Sequence, residues 1–290
     1  MRVSTSTDMC MNVLYTQTNY YNSKDAIDAI AWAGFHAIDI NLHQFKDELA
    51  EGDWRAWAQR CKEYALSKEL PITQAHAHMY GSFEFYEYTQ EQIDYHAELV
   101  RRDIEAAAIL GTPWVVVHPD SYLDETWYSW KKSMDKNVER FKEYGEVAAK
   151  HGVGIAIENM IDKRSLRRFG ACTEDLLELL ERLGDKEIFG ICWDTGHANM
   201  HQINQVKALH DIGDRLKAVH INDNDGVYDK HMLPFQGSIN WKSIVETLKD
   251  IDYKGDFTYE IHAFTRGFDA EFHHQALKFA RELGEHLVTL

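Results

Sequence analysis

Short β-branched runs alternate with longer amphipathic stretches along the chain, and this alternation restricts the fold more than any other feature. Such a pattern is typical of βα units and a parallel sheet. Eight runs are predicted strands: Arg2–Asp8, His36–Asn41, Ile72–His78, Trp114–His118, Gly154–Glu158, Phe189–Asp194, Leu216–Asn222 and Phe257–His262. The predicted helices between them include Lys24–Ala33, Thr89–Leu110, Lys136–His151, Thr173–Leu183, Trp241–Ile251 and Ala270–Leu287.

The length of the chain and the positions of its glycines agree with a single barrel. A chain of 290 residues suits a (β/α)8 TIM barrel, which typically has ~250 residues. Gly34, Gly111, Gly152 and Gly184 each follow a helical stretch, where a C′ residue with positive φ is expected. The sequence contains no Pro/Gly/Ser-rich linker. We therefore predict an α/β protein, with a (β/α)8 TIM barrel as a single domain over residues 1–290.

Histidines and carboxylates occur near the ends of six successive predicted strands. They are His76, His118, Glu158, Asp194, His220 and Glu260. In a (β/α)8 barrel the carboxyl ends of the strands converge on one face, so these side chains are expected to meet there. Imidazoles and carboxylates that meet in one place are typical of a metal site.

The alternation of side chains along a strand tests this idea independently. In the segment GIAIE, Glu158 shares one face with the small residues Ala156 and Gly154, whereas Ile155 and Ile157 face the other way. The bulky face would pack on helices and the polar face would point into the barrel. A carboxylate on that inner face is costly unless positive charge meets it.

The last four of these residues form a set of three carboxylates and one imidazole. Glu158, Asp194, His220 and Glu260 offer mainly hard oxygen ligands, which suit Mn²⁺, Mg²⁺, Co²⁺ or Zn²⁺. Three carboxylates held together would repel one another without a cation. The set therefore predicts a divalent metal site.

Several segments resemble a known superfamily over nearly the whole chain. IAIENM, ICWDTGHANM, AVHINDND, DKHMLPFQGSINW and TYEIH are similar to segments of the xylose-isomerase-like TIM-barrel superfamily. Within it, the chain resembles the sugar phosphate isomerase/epimerase group, which is related to ketose 3-epimerases and endonuclease IV. The sequence differs from the common family pattern at His78, where a proline is frequent, and at LPFQG, where LPGEG is commoner.

The resemblance to ketose 3-epimerases implies a ligand set and a mechanism. One divalent metal ion (Mn, Co, Zn or Mg) would be held by Glu158, Asp194, His220 and Glu260, and the two glutamates would also be the catalytic acid/base pair. The implied function is a metal-dependent sugar or sugar phosphate isomerase/epimerase of carbohydrate metabolism. Its small sugar or polyol ketone substrate would react by proton transfer through a metal-bound enediolate. Inosose dehydratase and hydroxypyruvate isomerase are alternatives from the same superfamily.

The resemblance to endonuclease IV implies a different enzyme, a metal-dependent AP endonuclease-like phosphodiesterase. His76, His118, His197, Asp229 and His231 match further positions of its multi-metal site, as additional zinc ligands or as substrate contacts. His78 competes with His76, because both lie on one predicted strand face. The resemblance of the segment QAHAHMYG to the family pattern favours His76. A third alternative is a binding protein that keeps the fold without catalysis.

Charge and composition restrict the partners. The formal net charge is −16, and acidity of this kind repels nucleic acid and anionic membrane surfaces. The basic segment KRSLRR at Lys163–Arg168 is a local exception. Neither an apolar leader in MRVSTSTDMC nor a membrane-length apolar run is present, so we expect a cytoplasmic protein.

The cysteines and aromatic residues add weaker indications. The four cysteines form no CxxC pair, and Cys192 is predicted to be a small interior residue. The aromatic segment FEFYEY at Phe83–Tyr88 follows the third predicted strand and would shape the pocket. Most tryptophans suit the core or a subunit interface, which leaves a homo-oligomer open.

Overall fold

The structure is a computed structural model that describes the chain except for residues 15–16, 81–87, 126 and 163–165. Eight parallel strands form one sheet, which we number β1 to β8 in chain order. Their bounds are β1 Val3–Ser6, β2 Ala37–Asn41, β3 Ile72–His76, β4 Trp114–Val117, β5 Gly154–Glu158, β6 Phe189–Asp194, β7 Leu216–His220 and β8 Phe257–Tyr259.

Eleven helices accompany the strands in the described ranges. They are α1 Ser23–Ala33, α2 Lys46–Ala50, α3 Trp54–Ser67, α4 Gln90–Leu110, α5 Trp130–His151, α6 Thr173–Leu183, α7 Thr195–Met200, α8 Gln205–Ile212, α9 Trp241–Asp250, α10 His262–Thr265 and α11 Ala270–Leu287. Two antiparallel hairpins add Met11–Leu14 with Gln17–Tyr20, and Leu123–Asp124 with Trp127–Tyr128.

The sheet closes into a barrel at β8, which has a neighbouring strand on each side. β8 pairs in parallel with β1. On the other side of β8, Ile221, directly after β7, bridges to Tyr259, and the Ile221 N–H donates to the Thr258 carbonyl at 2.8 Å. The predicted α/β class and the (β/α)8 TIM barrel of a single domain are confirmed; that this domain extends over residues 1–290 stays a prediction.

The two faces of the strands separate as alternation predicts. Ala156, Cys192, Ala218 and Val116 form a small buried cluster of their own, which fills the barrel interior. Residues of the opposite face, such as Ile155, belong to the large core that also contains apolar residues of the helices. Small interior side chains leave room for polar side chains at the strand ends.

Four glycines end helices as predicted, but several predicted boundaries shift. Strands β3, β7 and β8 end at His76, His220 and Tyr259 rather than at His78, Asn222 and His262. Gly34, Gly111, Gly152 and Gly184 end helices with positive φ between 70° and 89°. Helix α5 begins at Trp130 rather than Lys136, because the Ser129 side chain accepts from the Lys132 N–H and caps an earlier turn. Strand β1 ends at Ser6 rather than Asp8, because Thr7–Cys10 turns into a 3₁₀ helix.

The described part of the chain contains no helix that is both long and apolar enough to cross a bilayer. All four cysteines are free thiols, and Cys192 is buried inside the barrel as predicted.

Candidate metal centre

Four of the predicted ligands meet at the carboxyl ends of β5 to β8. Glu158, Asp194, His220 and Glu260, which we call the central cluster, are all buried, and one ligand atom of each lies within 4.8 Å of the others. The Nδ1 atom of His220 is 2.9 Å from Oε1 of Glu158 and 3.5 Å from Oε2 of Glu260. The barrel thus brings together residues that are far apart in sequence.

A first flanking group shares Glu158 with the central cluster. His76 ends β3, and His118 directly follows β4. Oε2 of Glu158 is 3.3 Å from Nε2 of His76 and 2.9 Å from Nε2 of His118. The two imidazole Nε2 atoms are 3.2 Å apart. This spacing of two nitrogens and a carboxylate oxygen makes a second candidate metal position.

A second flanking group lies on the other side of the cluster. It consists of His197 on α7, and Asp229 and His231 in the loop after β7. Oδ2 of Asp229 is 3.1 Å from Nε2 of His231 and 3.6 Å from Nε2 of His197. Oδ1 of Asp229 is buried and has no hydrogen-bond partner among the described residues.

Three of the histidines are held in the same way. Nδ1 of His76, His197 and His231 lies 2.8, 2.7 and 3.0 Å from the backbone carbonyls of Ala77, Asn159 and Glu260, respectively. Since a carbonyl only accepts, each Nδ1 carries a proton, and Nε2 is the nitrogen that faces the carboxylate of its group. Metal-binding histidines are typically fixed by such outer hydrogen bonds.

His220 is oriented by the carboxylate of Asp39, a residue that was not predicted from the sequence to belong to the site. Oδ2 of Asp39, on β2, lies 3.2 Å from Nε2 of His220 and accepts from Nε2 of Gln74 at 3.0 Å. Asp39 is fully buried. A proton on Nε2 leaves Nδ1 of His220 free to face the central cluster. The signal in the sequence was an aspartate inside the apolar run AIDIN.

Asp194 is oriented by both of its carboxylate oxygens. Oδ1 accepts from the His197 N–H at 2.7 Å and caps α7, and Oδ2 accepts from Nδ2 of Asn222 at 2.8 Å. A Cβ atom at Gly196 would lie 1.8 Å from Oδ1 of Asn222. Glycine is therefore needed within the DTGH segment for Asn222 to reach Asp194.

The buried charges shift one another's pKa values. Burial raises the pKa of Glu260 to about 7, although His220 and His231 act against it. Burial would also raise the pKa of Glu158, but His220 and His118 outweigh it and hold that pKa well below its usual range. Burial opposes protonation of His76, yet the hydrogen bond and charge of Glu158 raise its pKa to about 9. The buried carboxylates thus stabilise positive charge within the site.

The donor set fits one or more divalent cations. Carboxylate oxygens and imidazole nitrogens are the ligands of Zn²⁺ and Mn²⁺ sites in proteins. The outer hydrogen bonds of the histidines and the unpartnered oxygen of Asp229 agree with this chemistry. The central cluster alone could hold one ion, and the flanking groups could hold two more.

Three buried polar residues close to the centre do not belong to it. His78 turns away from it, because Oδ2 of Asp103 on α4 accepts from its Nδ1 at 2.6 Å. Asp223 accepts from Nε1 of Trp241 at 2.9 Å, and Asn224 donates to the Gly196 carbonyl at 2.9 Å, so both brace loops near the site.

Two predicted segments fall partly outside the described residues. These are Lys163 to Ser165 of KRSLRR and all of FEFYEY except Tyr88. In the described remainder of KRSLRR, Arg167 pairs with Asp162 at 3.4 Å.

Comparison with known proteins agrees with this architecture. A family model described as "Xylose isomerase-like TIM barrel" matches residues 27–283. The chain is 36% identical over 166 residues to "Uncharacterized protein MJ1311" of Methanocaldococcus jannaschii, an alignment that covers 56% of this chain and 55% of that protein. It is 28% identical over 286 residues to "Uncharacterized protein y4fM" of Sinorhizobium fredii, covering 89% and 88%. "Probable endonuclease 4" of Bacillus subtilis is 28% identical over 172 residues, covering 53% and 56%.

Solved structures share the fold over almost the full chain. A D-tagatose 3-epimerase-like protein superposes with a TM-score of 0.76 at 24% identity and covers 100% of this chain and 98% of its own. D-psicose 3-epimerase in the presence of D-fructose gives 0.78 at 15% identity, with 99% of each chain covered. IOLI protein with a bound zinc atom gives 0.76 at 17% identity, covering 100% and 98%. The resemblance predicted from the sequence is confirmed.

Proposed function

Because the chain belongs to the xylose isomerase-like TIM barrel family, we propose that it is a divalent-metal-dependent sugar isomerase or epimerase. The observation that carries this proposal is the central cluster, in which Glu158, Asp194, His220 and Glu260 converge within 4.8 Å. Its place at the carboxyl ends of the strands is where TIM-barrel enzymes have their active sites. Neighbours with the same fold include a D-psicose 3-epimerase and a D-tagatose 3-epimerase-like protein.

The proposed reaction moves a proton at the carbon next to a carbonyl. When bound, a divalent ion would supply positive charge beside the carbonyl oxygen and so acidify the adjacent C–H. Glu158 and Glu260 would form the acid/base pair, with one carboxylate taking the proton and the other returning it. Both approach Nδ1 of His220 from different strands, at 2.9 and 3.5 Å. Both are also nearly closed to solvent, at 1% and 7% exposure, which would protect the carbanionic state from bulk water.

The proposed partner is a small sugar or polyol ketone, rather than nucleic acid or a membrane. The proposed location of the protein is the cytoplasm. The net charge of −16 supports this choice, since binding to a phosphate backbone depends on Lys and Arg. Between one and three metal ions could serve this chemistry, and Mn²⁺, Co²⁺, Zn²⁺ and Mg²⁺ all suit the donors.

Solvent-exchange experiments test the proposal. Metal-loaded protein is incubated in D₂O with a panel of ketoses, in both reaction directions, and deuterium at the carbon next to the carbonyl is measured by NMR. We expect deuterium incorporation, because the carboxylate-held proton can exchange before it returns. Product formed without deuterium after many turnovers would contradict the role of Glu158 and Glu260, and isomerised product of this kind would favour direct hydride transfer between carbons.

Variants of the two glutamates test the same step with a matched control. Glu158→Gln and Glu260→Gln keep the side-chain shape but cannot accept a proton, so turnover should be abolished while the fold persists in circular dichroism. Glu181→Gln on the exposed face of α6 should behave like the wild type. Near-wild-type kcat in either site variant would rule out the two-carboxylate mechanism.

A second candidate is a metal-dependent phosphodiesterase that cleaves DNA at abasic sites. The two flanking groups favour it, because His76 and His118 share Glu158 with the central cluster and a separate group of His197, Asp229 and His231 lies on its other side. Clusters of metal ions stabilise both the attacking and the leaving oxygen of a phosphodiester. An abasic-site oligonucleotide incubated with Zn²⁺- and Mn²⁺-loaded protein decides the matter: we expect no cleavage, and salt-sensitive binding with strand scission would instead establish the nuclease.

A further inference from the structure

A second group of polar side chains lies beside the metal centre, where β2 and β3 leave the barrel. We call it the polar niche. Its members are His43 and Gln44 in the loop after β2, His78 after β3, and Arg102 and Asp103 on α4. The ring centroids of His43 and His78 are 5.5 Å apart. The niche adjoins the centre, because the backbone N–H of Leu42, the residue before His43, donates to the His76 carbonyl at 2.9 Å. His78 itself follows His76 by two residues.

Part of the niche is rigidly held. Oδ2 of Asp103, which is fully buried, accepts from both the backbone N–H and Nδ1 of His78, each at 2.6 Å. Nε2 of His78 faces the terminal Nη2 of Arg102 at 3.4 Å, and because a guanidinium only donates, this Nε2 is the acceptor. The positions of His78 and Arg102 are therefore set before any ligand arrives.

Five atoms of the niche are buried and lack a hydrogen-bond partner in the described ranges. They are Nδ1 of His43, both amide atoms of Gln44, Nε of Arg102 and Oδ1 of Asp103. Buried polar atoms are nearly always paired in native proteins, and leaving them unpaired is costly. A concentration of unpaired atoms next to a reaction centre is typical of a place where a ligand supplies the partners.

The niche is balanced in charge and offers both donors and acceptors. Nη2 of Arg102 lies 3.7 Å from Oδ1 of Asp103, so the two charges offset each other. Burial lowers the pKa of His43 to about 3, so this ring is neutral at pH 7. A hydroxyl group donates and accepts, and thus matches this mixture. A phosphate group only accepts, and it would meet the carboxylate of Asp103.

We propose that the polar niche binds the hydroxyl-bearing end of an unphosphorylated sugar whose carbonyl end lies at the metal centre. This inference rests on the proposed function, which places the carbonyl there. It names the substrate class more narrowly, as a free ketose long enough to reach from the centre to Gln44 and Arg102. His78, at a position where relatives often have proline, would be part of this specificity.

Substrates of two lengths test the niche. D-fructose can reach it, whereas dihydroxyacetone occupies only the metal centre, so deuterium exchange into each gives a ratio of kcat/KM values. We expect Arg102→Met to lower this ratio at least about tenfold, since buried polar partners of a hydroxyl discriminate strongly. Gln44→Leu should lower it as well, and its side chain has no hydrogen bond to lose in the described structure.

Arg101→Met is the matched control. Arg101 is on the same helix, but it pairs with Glu98 and Glu143 on the outside. Its variant should leave the ratio within about twofold of the wild type. A ratio that is unchanged in both Arg102→Met and Gln44→Leu would overturn the proposal, as would a higher kcat/KM for D-fructose 6-phosphate than for D-fructose.

Failure of the proposed function can be distinguished from failure of the niche. If neither ketose exchanges deuterium in the wild type, the isomerase proposal fails. The niche is then judged by calorimetric titration of metal-loaded protein with D-sorbitol. Binding that weakens in Arg102→Met and Gln44→Leu, but not in Arg101→Met, would support the niche. No binding of D-sorbitol to the wild type would overturn it.

Discussion

Asp39 offers a direct test of how the barrel prepares His220 for metal binding. Its Oδ2 faces both Nε2 of His220, at 3.2 Å, and Nε2 of Gln74, at 3.0 Å, whereas its Oδ1 has no partner among the described residues. In Asp39→Asn the amide oxygen can replace Oδ2 and keep both hydrogen bonds, so chiefly the charge is lost. Asp39→Leu removes the charge and both bonds.

The structure therefore predicts a graded loss of metal affinity. Loss of an outer-shell partner of a metal-binding histidine typically weakens metal affinity by ~10- to 100-fold. We expect Asp39→Asn near the lower end, about 1.4 kcal/mol, and Asp39→Leu near the upper end, about 2.7 kcal/mol. The order follows from the number of interactions that each change removes.

Competition between the protein and a chelator of known affinity measures these losses for Zn²⁺ and Mn²⁺. Asp47→Asn, on the exposed side of α2, is the matched control and should bind like the wild type. Unfolding in excess chelator checks that each variant is folded without metal. If both Asp39 variants are folded and bind metal within about twofold of the wild type, then Asp39 does not prepare His220.

Three further outcomes are expected. Chelation should lower the melting temperature by several degrees, because bound metal stabilises the native state by mass action; an equal melting temperature with and without Zn²⁺, Mn²⁺ or Co²⁺ would contradict a metal centre. Gly196→Ala should weaken metal binding, because its Cβ would lie 1.8 Å from Oδ1 of Asn222, which orients Asp194; chelator competition measures this loss. Burial lowers the pKa of His96 from 6.5 to about 4. The neutral ring therefore contributes to the free energy of unfolding above pH 6.5, and this contribution, at most about 3 kcal/mol, is lost as the pH falls towards 4. Urea unfolding from pH 7 to 4 should thus show a shallower decline for His96→Asn, and identical declines would refute this assignment.

The order of elements and the main ligands could be predicted from the sequence, because both depend on local periodicity. β-branched runs between amphipathic stretches specify a parallel barrel, and such a barrel brings strand ends together whatever the details of packing. Glu158, Asp194, His220 and Glu260 were therefore predictable as one group. Their roles in metal binding and catalysis stay predictions.

Other features depended on tertiary structure, because they arise from backbone turns and from contacts between distant elements. Alternation put His76 and His78 on one face, but β3 ends at His76, and beyond it the chain turns His78 towards Asp103 of α4. Asp39 is 181 residues from His220, and no local pattern pairs them. The pairing exists only because closure of the barrel brings β2 and β7 to one interior, where a buried carboxylate without any hydrogen bond would be costly.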